Sequence, residues 1–131
     1  MPKALMLAFT QPTTDEAVEE FNDWYSNKHV YDLLNIEGFI SATRYELPKG
    51  IETLPGVPDG VSQRYMALYE IEADDEAGLQ KFADALKVAL SDGTADIHPM
   101  LDMGNLAASF CLPIGERIDH DSPRPEARAE A

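Results

Sequence analysis

The sequence has little cysteine, little positive charge and no long apolar run, and each shortage excludes a class of protein. The single Cys111 cannot form an intramolecular disulfide, and the spacing of a thiolate zinc site is absent, which favours a reducing compartment. No stretch approaches the roughly 20 apolar residues that span a bilayer. The N-terminal apolar run is too short for a secretory signal, so we expect a soluble, unprocessed, cytoplasmic protein.

The charge balance is strongly acidic. Ten Lys and Arg residues stand against 24 Asp and Glu residues, which gives a formal net charge of -14. Because such a surface repels phosphate backbones and anionic lipid headgroups, we expect neither a nucleic acid nor a membrane as a partner. Glycine-rich phosphate loops and the Gly-x-Ser-x-Gly elbow are also missing, so dinucleotide, phosphate and serine-hydrolase sites lack a sequence basis.

The 131 residues are enough for one domain with a substantial core. We place this domain at residues 1–118 and predict a flexible tail at 119–131, which is rich in proline, alanine and charge. Two apolar stripes at spacings of 3 and 4 predict helices that begin near residues 15 and 74. Apolar or β-branched runs predict four strands, Ala4–Phe9, Phe39–Leu47, Arg64–Glu72 and Leu106–Leu112.

The resulting order, β-α-β-β-α-β, predicts an α+β, ferredoxin-like fold with an antiparallel sheet and two helices on one face. The middle strands are apolar on both faces, so the face without helices needs a partner. The loop Pro48–Gln63 is long enough to be a candidate lid or oligomer arm. Alternation along the second strand assigns its side chains to two faces, Phe39, Ser41, Thr43 and Tyr45 on one and Ile40, Ala42, Arg44 and Glu46 on the other.

Among the three histidines, His29 is the most informative, because its helical phase places it on the apolar stripe with Phe21 and Tyr25. A buried imidazole needs hydrogen-bond partners, and Asp32 lies within one helical turn. His29 is therefore either a core histidine satisfied by its neighbours or a pocket residue that takes up and returns a proton near neutral pH.

Aromatic side chains from the helix and strands are expected around His29, as either a plain core or the walls of a site for an apolar ligand. A metal held by His29, Asp32 and His98 lacks a specific spacing, so no metal is expected. His120, in the predicted tail, is expected to be solvated. The candidate substrate-binding residues are Phe21, Asn22, Trp24, Tyr45, Tyr65, Tyr69 and His98.

Residues 21–34 (FNDWYSNKHVYDLL), with EGF at 37–39 and ATRY at 42–45, resemble the EthD-like branch of the dimeric α+β barrel superfamily. The pattern is a helix bearing Trp-Tyr and then His, a turn ending at Gly-Phe, and a strand with Arg-Tyr. The resemblance implies a homodimer in which two sheets pack face to face, and a ligand pocket between the first helix and the sheet. The family's helix histidine corresponds to His29 and its neighbouring aromatic residues to Trp24 and Tyr25.

Members of this superfamily include cofactor-independent oxygenases, cyclases, decarboxylases and isomerases, so the fold alone does not define a reaction. We expect an enzyme without a metal or organic cofactor, acting on a small aromatic or apolar carbonyl or phenol compound by lyase, isomerase or cyclase chemistry. His29 would be the general acid/base, oriented by Asp32 or a backbone carbonyl, with Tyr25, Tyr65 or Asn22 stabilising an enolate or phenolate. The alternatives are a cofactor-free monooxygenase of a phenolic substrate and a non-catalytic protein that binds hydrophobic metabolites.

Overall fold

The sheet is four-stranded and every neighbouring pair of strands is antiparallel, in the order β2-β3-β1-β4. The structure is a computed structural model and describes residues 2–126. Its strands are β1 (Ala4–Thr10), β2 (Phe39–Glu46), β3 (Tyr65–Ile71) and β4 (Ala107–Cys111). With one helical region after β1 and another after β3, this is the α+β, ferredoxin-like fold predicted from the order of elements.

The first helical region has four consecutive parts: a 3-10 turn (Asp15–Ala17), α1 (Val18–Trp24), a π-helix (Tyr25–His29) and α2 (Val30–Leu34). In the π-helix the amide of Val30 donates to the carbonyl of Tyr25, five residues earlier in the chain. Such π turns are rare in proteins, and those that occur are frequently found at functional sites. The helix therefore changes its geometry at the segment that carries the predicted histidine.

The second helical region is α3 (Glu76–Ser91), which begins close to the predicted start near residue 74. The carboxylate of Asp75 accepts a hydrogen bond from the amide of Gly78, 2.8 Å away, which satisfies one of the free amides of the first turn. Phe82 and Ala89 are its buried residues. Leu90 lies one helical turn after Leu86 on the apolar stripe of this helix but is 37% exposed, so only a narrow face of α3 is buried.

Gly38 connects the first helical region to β2 beneath α3. Its φ of 102° lies in the left-handed region, and a Cβ at this position would be 2.9 Å from the ring of Phe82. Phe82 in turn packs edge-on against Phe39 of β2 and Phe110 of β4. The glycine at this turn thus allows the close approach that anchors α3 on the sheet.

The core lies between the helices and one face of the sheet. Strands β1 and β3 bury alternate side chains on that face, Ala4, Met6, Ala8, Thr10, Tyr65, Ala67, Tyr69 and Ile71. The opposite face, here called the open face, carries the half-buried Leu5, Leu7, Phe9, Met66 and Leu68. No helix of the described residues covers the open face. This agrees with the prediction that both helices lie on one face of a sheet that is apolar on both.

Strict alternation along β2 is wrong at its beginning. The register shifts between Phe39 and Ser41, so that one extra residue lies between two rungs of the ladder. Phe39 consequently joins Ala42 and Arg44 on the helix side, where it packs against Tyr69. After the bulge the predicted alternation holds.

The segment at 48–63 contains no helix or strand, as predicted, and Lys49 Nζ donates to the carbonyl of Val61 across it at 2.8 Å. The predicted tail at 119–131 lies partly outside the described residues. Its described part, residues 119–126, forms a turn in which the Asp119 carboxylate accepts from Ser122. None of the helices between residues 2 and 126 has the length and hydropathy needed to cross a membrane.

Candidate functional site

His29 lies inside the protein, between two aromatic rings of its own helix. It is 4% exposed; its ring stacks on Trp24 at 4.7 Å and meets Tyr25 edge-on at 4.8 Å between ring centroids. Nδ1 is buried and finds no hydrogen-bond partner among the described residues. The backbone of Asp96 interacts with the ring and favours its protonated form.

Burial lowers the pKa of His29 from 6.5 to about 4, because an imidazolium cation is poorly solvated in this environment. The backbone of Asp96 and the charge of Asp32 act in the opposite direction, whereas the positive charges of Lys28 and Arg44 lower the pKa further. The ring is therefore neutral at physiological pH. In the neutral tautomer with the proton on Nε2, Nδ1 presents a lone pair that can accept a hydrogen bond or a proton.

Asp32 does not orient His29, contrary to one of the two sequence-based expectations. Its carboxylate accepts a hydrogen bond from Lys28 Nζ at 2.7 Å, and the same ammonium lies 3.7 Å from the carboxylate of Asp96. Asp32 reaches the imidazole only through its charge. The backbone of Asp96, the other kind of partner expected for His29, interacts with the ring and raises its pKa.

Tyr25 and Tyr69 form a buried pair of hydroxyls between the helix and β3, with their oxygens 3.2 Å apart. Burial raises the pKa of both phenols, so both are neutral. Either hydroxyl can donate to the other. Because the pair uses one of its two O–H bonds internally, the second remains able to donate to a bound group.

Arg44 also belongs to the cluster, although it is not among the site residues predicted from the sequence. Its guanidinium lies over the ring of Tyr25 at 4.4 Å and near that of Tyr65 at 5.5 Å, and Nη1 donates to Ser26 Oγ at 2.9 Å. Nε and Nη2 are buried and have no partner between residues 2 and 126, and burial lowers the pKa of Arg44. Its place on the same strand face as Ala42 was the sequence signal that could have identified it.

Most of the predicted binding residues do come together. Phe21, Tyr65 and Tyr69 are buried in the aromatic core, and the half-buried Trp24 lies 5.6 Å from the ring of His98. The Nδ1 atom of His98 accepts a hydrogen bond from the amide of Met100 at 3.0 Å. Asn22 is half-buried on α1.

Tyr45 is placed apart from the cluster. It pairs with Met66 on the open face and is 46% exposed. Because successive side chains of a strand point to opposite faces, Tyr45 and its neighbour Arg44 lie on different sides of the sheet. The aromatic set around His29 is thus smaller by one residue than predicted.

Two cavities lie away from the cluster around His29. One, of about 530 Å³, lies at the start of α3, where Glu72, Asp74, Lys81 and Phe82 contribute to its walls. A second depression of about 350 Å³ lies within the loop at 50–59. Between residues 2 and 126, no group of three or more His, Cys, Asp or Glu side chains is arranged to hold a metal ion.

Comparison with known proteins supports the fold. No model of a known protein family matches the chain, and no curated protein matches it significantly. Among solved structures it is similar to MhuD of Mycobacterium tuberculosis, a heme-degrader with two hemes bound in its active site: the TM-score is 0.56 and the identity 12%, over 87% of this chain and 98% of that one. An ethyl tert-butyl ether (EthD) family protein of Bacillus halodurans gives a TM-score of 0.44 and 21% identity, over 90% and 100% of the two chains.

The MhuD match shows a ferredoxin-like fold. This is the fold of the dimeric α+β barrel superfamily, and segments 21–34, 37–39 and 42–45 of the sequence resemble its EthD-like branch.

The depressed pKa of His29 makes the free energy of unfolding depend on pH. The unfolded chain binds a proton at His29 near pH 6.5 and the folded chain only near 4, so stability falls as pH decreases through this window. The loss attributable to this group is about 3 kcal/mol and is complete below the folded-state pKa. A His29→Phe variant removes the titrating group and keeps an aromatic ring against Trp24, so we expect its stability to decline less.

Chemical denaturation at several pH values checks this difference. A His120→Gln variant, which alters an exposed histidine, is the matched control and should follow the wild type. Parallel stability curves for wild type and His29→Phe would show that His29 is not held neutral by burial.

Proposed function

We propose that this protein is an enzyme that uses His29 as a general acid/base, without an organic cofactor, on a small aromatic or apolar compound with a carbonyl or phenol group. The observation that carries the proposal is the buried Nδ1 of His29, which has no hydrogen-bond partner among the described residues. Buried polar atoms in folded proteins are nearly always paired, so an unpaired one needs an explanation, and a catalytic role is one. The aromatic rings around it suit an apolar ligand.

A hydrogen bond from Nε2 to the backbone of Asp96 would hold the proton on Nε2 and leave the Nδ1 lone pair available. In the free protein His29 is a weak base because its cation is poorly solvated. A negative charge that develops on a neighbouring substrate raises the pKa of the imidazole, since opposite charges stabilise each other. Proton transfer to His29 and formation of an enolate or phenolate therefore assist one another.

The hydroxyl pair of Tyr25 and Tyr69 supplies a neutral donor for the developing oxyanion. Both phenols keep their protons, and one O–H bond of the pair is free to donate. Donors fixed in advance in a water-poor site stabilise charge more than donors in water. This arrangement favours lyase, isomerase or cyclase chemistry through a carbanion, with His29 returning the proton at a second position.

Exchange of carbon-bound protons tests the base without knowledge of the natural substrate. We expect the protein to accelerate exchange of the α-protons of phenylpyruvate or acetophenone into D₂O, followed by NMR. His29→Gln should lower the catalysed rate by about 10²- to 10⁴-fold, the usual contribution of a general base. The rate should rise with pH through about 4 and then level off, as the neutral ring becomes available.

His120→Gln is the control variant and should exchange at the wild-type rate. If His29→Gln is folded and equally active, the assignment of the base is wrong. Binding of these ketones without any exchange would instead favour a non-catalytic binding protein.

We further propose that two copies of the chain assemble through the open face. Leu7 and Leu68 are paired at its centre, and both are half-buried although no helix covers them. An apolar sheet face of this kind is usually covered by another layer. A second open face would provide that layer in a face-to-face pair of sheets.

Light scattering on the purified protein tests the assembly. We expect a dimer mass at micromolar concentration for the wild type and a monomer for Leu68→Glu, because an unpaired carboxylate buried in the interface is costly. Val88→Glu on the exposed side of α3, where Val88 is 62% exposed, should remain dimeric. A monomeric wild type, or a dimeric Leu68→Glu, would refute the proposed interface.

A further inference from the structure

The guanidinium of Arg44 has hydrogen-bonding capacity that the protein does not use. Nη1 donates to Ser26 Oγ at 2.9 Å, whereas Nε and Nη2 are buried and have no partner among the described residues. Nε and Nη2 form one edge of the planar group, from which two N–H bonds point in parallel. This edge matches the two oxygens of a carboxylate.

The surroundings of Arg44 contain aromatic rings instead of a counter-ion. The chain has 24 acidic residues for 10 basic ones, yet Arg44 belongs to none of the ion pairs found among residues 2–126. The rings of Tyr25, Tyr65 and Phe21 lie 4.4, 5.5 and 5.8 Å from its central carbon. These rings stabilise the cation through their faces but offer it no acceptor in the plane of the guanidinium.

Arg44 and His29 both contact one side chain, Tyr25. The guanidinium covers the face of the Tyr25 ring at 4.4 Å, and the imidazole meets the same ring edge-on at 4.8 Å. Arg44 is half-buried and its hydrogen bond to Ser26 is exposed, whereas His29 is only 4% exposed. Arg44 is therefore the more accessible of the two groups.

We propose that Arg44 binds the carboxylate of the ligand, and that the ligand is an aromatic carboxylic acid held between Arg44 and the aromatic rings of the cluster. The Nε–Nη2 edge donates two parallel hydrogen bonds to the carboxylate, and the apolar part of the ligand packs against the rings. This narrows the proposed substrate class to an acid and rests on the proposed function only for the role of His29. Carboxylate binding itself is independent of catalysis.

Trp24 provides a direct readout, because it is the single tryptophan of the chain and stacks on His29 within the cluster. Benzoate is the probe, with benzamide as a neutral molecule of the same shape and acetate as an anion without the ring. We expect benzoate to change the Trp24 fluorescence saturably and to bind at least about tenfold more tightly than benzamide or acetate. Only benzoate contacts both the Nε–Nη2 edge of Arg44 and the aromatic rings. Equal affinity for benzoate and benzamide, or no saturable benzoate response, would overturn the proposal.

Variants then assign the effect to Arg44. Arg44→Gln should weaken benzoate at least about tenfold and leave benzamide unchanged, and Arg44→Lys should restore only part of the affinity, because an ammonium lacks the planar pair of donors. Arg64→Gln is the matched control: Arg64 lies 5.7 Å from the same Tyr65 ring but pairs with Asp15. Benzoate affinity should be unchanged in Arg64→Gln, and an equal loss there would show a general charge effect.

The same titration separates this proposal from the catalytic one. A folded His29→Gln protein should still bind benzoate more tightly than benzamide, because Arg44 holds the carboxylate. If it does so while proton exchange is also unaffected by the substitution, the catalytic role of His29 fails and the carboxylate site stands. If proton exchange depends on His29 but the affinity for benzoate does not depend on Arg44, only the proposed carboxylate site is refuted.

Discussion

The ring of Tyr25 is the point where the helix, the sheet and the ionisable groups of the site meet. It packs edge-on against Phe21, Trp24 and His29 of its own helix and lies beneath the guanidinium of Arg44 from β2. Its hydroxyl bonds to that of Tyr69 on β3 at 3.2 Å. Because the ring is 2% exposed, its packing holds His29 and Arg44 in fixed relation to the sheet.

Burial of this ring also sets the electrostatics of its neighbours. Water is excluded from the imidazole, so the pKa of His29 falls to about 4 and the ring is neutral where most proteins work. Of the four buried side-chain polar atoms without a partner among residues 2–126, three belong to His29 and Arg44. His29 thus has an open acceptor and Arg44 a pair of open donors, all next to the ring of Tyr25. A polar, aromatic ligand could form hydrogen bonds with these groups.

Helical periodicity was sufficient to predict the inward face of the first helix. Spacings of 3 and 4 correctly placed Phe21, Tyr25 and His29 in the interior, and the π turn preserves this placement because Tyr25 and His29 stay on one side of the helix. The partner of Asp32 was harder to predict, since Lys28 and His29 both lie within one turn of it. The carboxylate of Asp32 pairs with the charged ammonium of Lys28 at the surface, and not with the neutral, buried ring of His29.

The strand side of the site depended on features that a period of two cannot show. The bulge between Phe39 and Ser41 adds one residue without a distinctive sequence, so Phe39 was assigned to the wrong face. Alternation correctly separated Arg44 from Tyr45, but it could not show that the aliphatic stem of Arg44 would carry the guanidinium over Tyr25. Which buried nitrogen atoms lack partners is a property of the packed structure.

The central claim is that His29 is a neutral imidazole whose proton is on Nε2 and whose Nδ1 is open. Long-range proton–nitrogen NMR correlation of the histidine side chains, followed through a pH titration, measures the tautomer and the pKa together. We expect the Nε2–H tautomer at neutral pH and a titration midpoint near 4. A midpoint at the ordinary value of 6.5, or a proton on Nδ1 at neutral pH, would contradict the account.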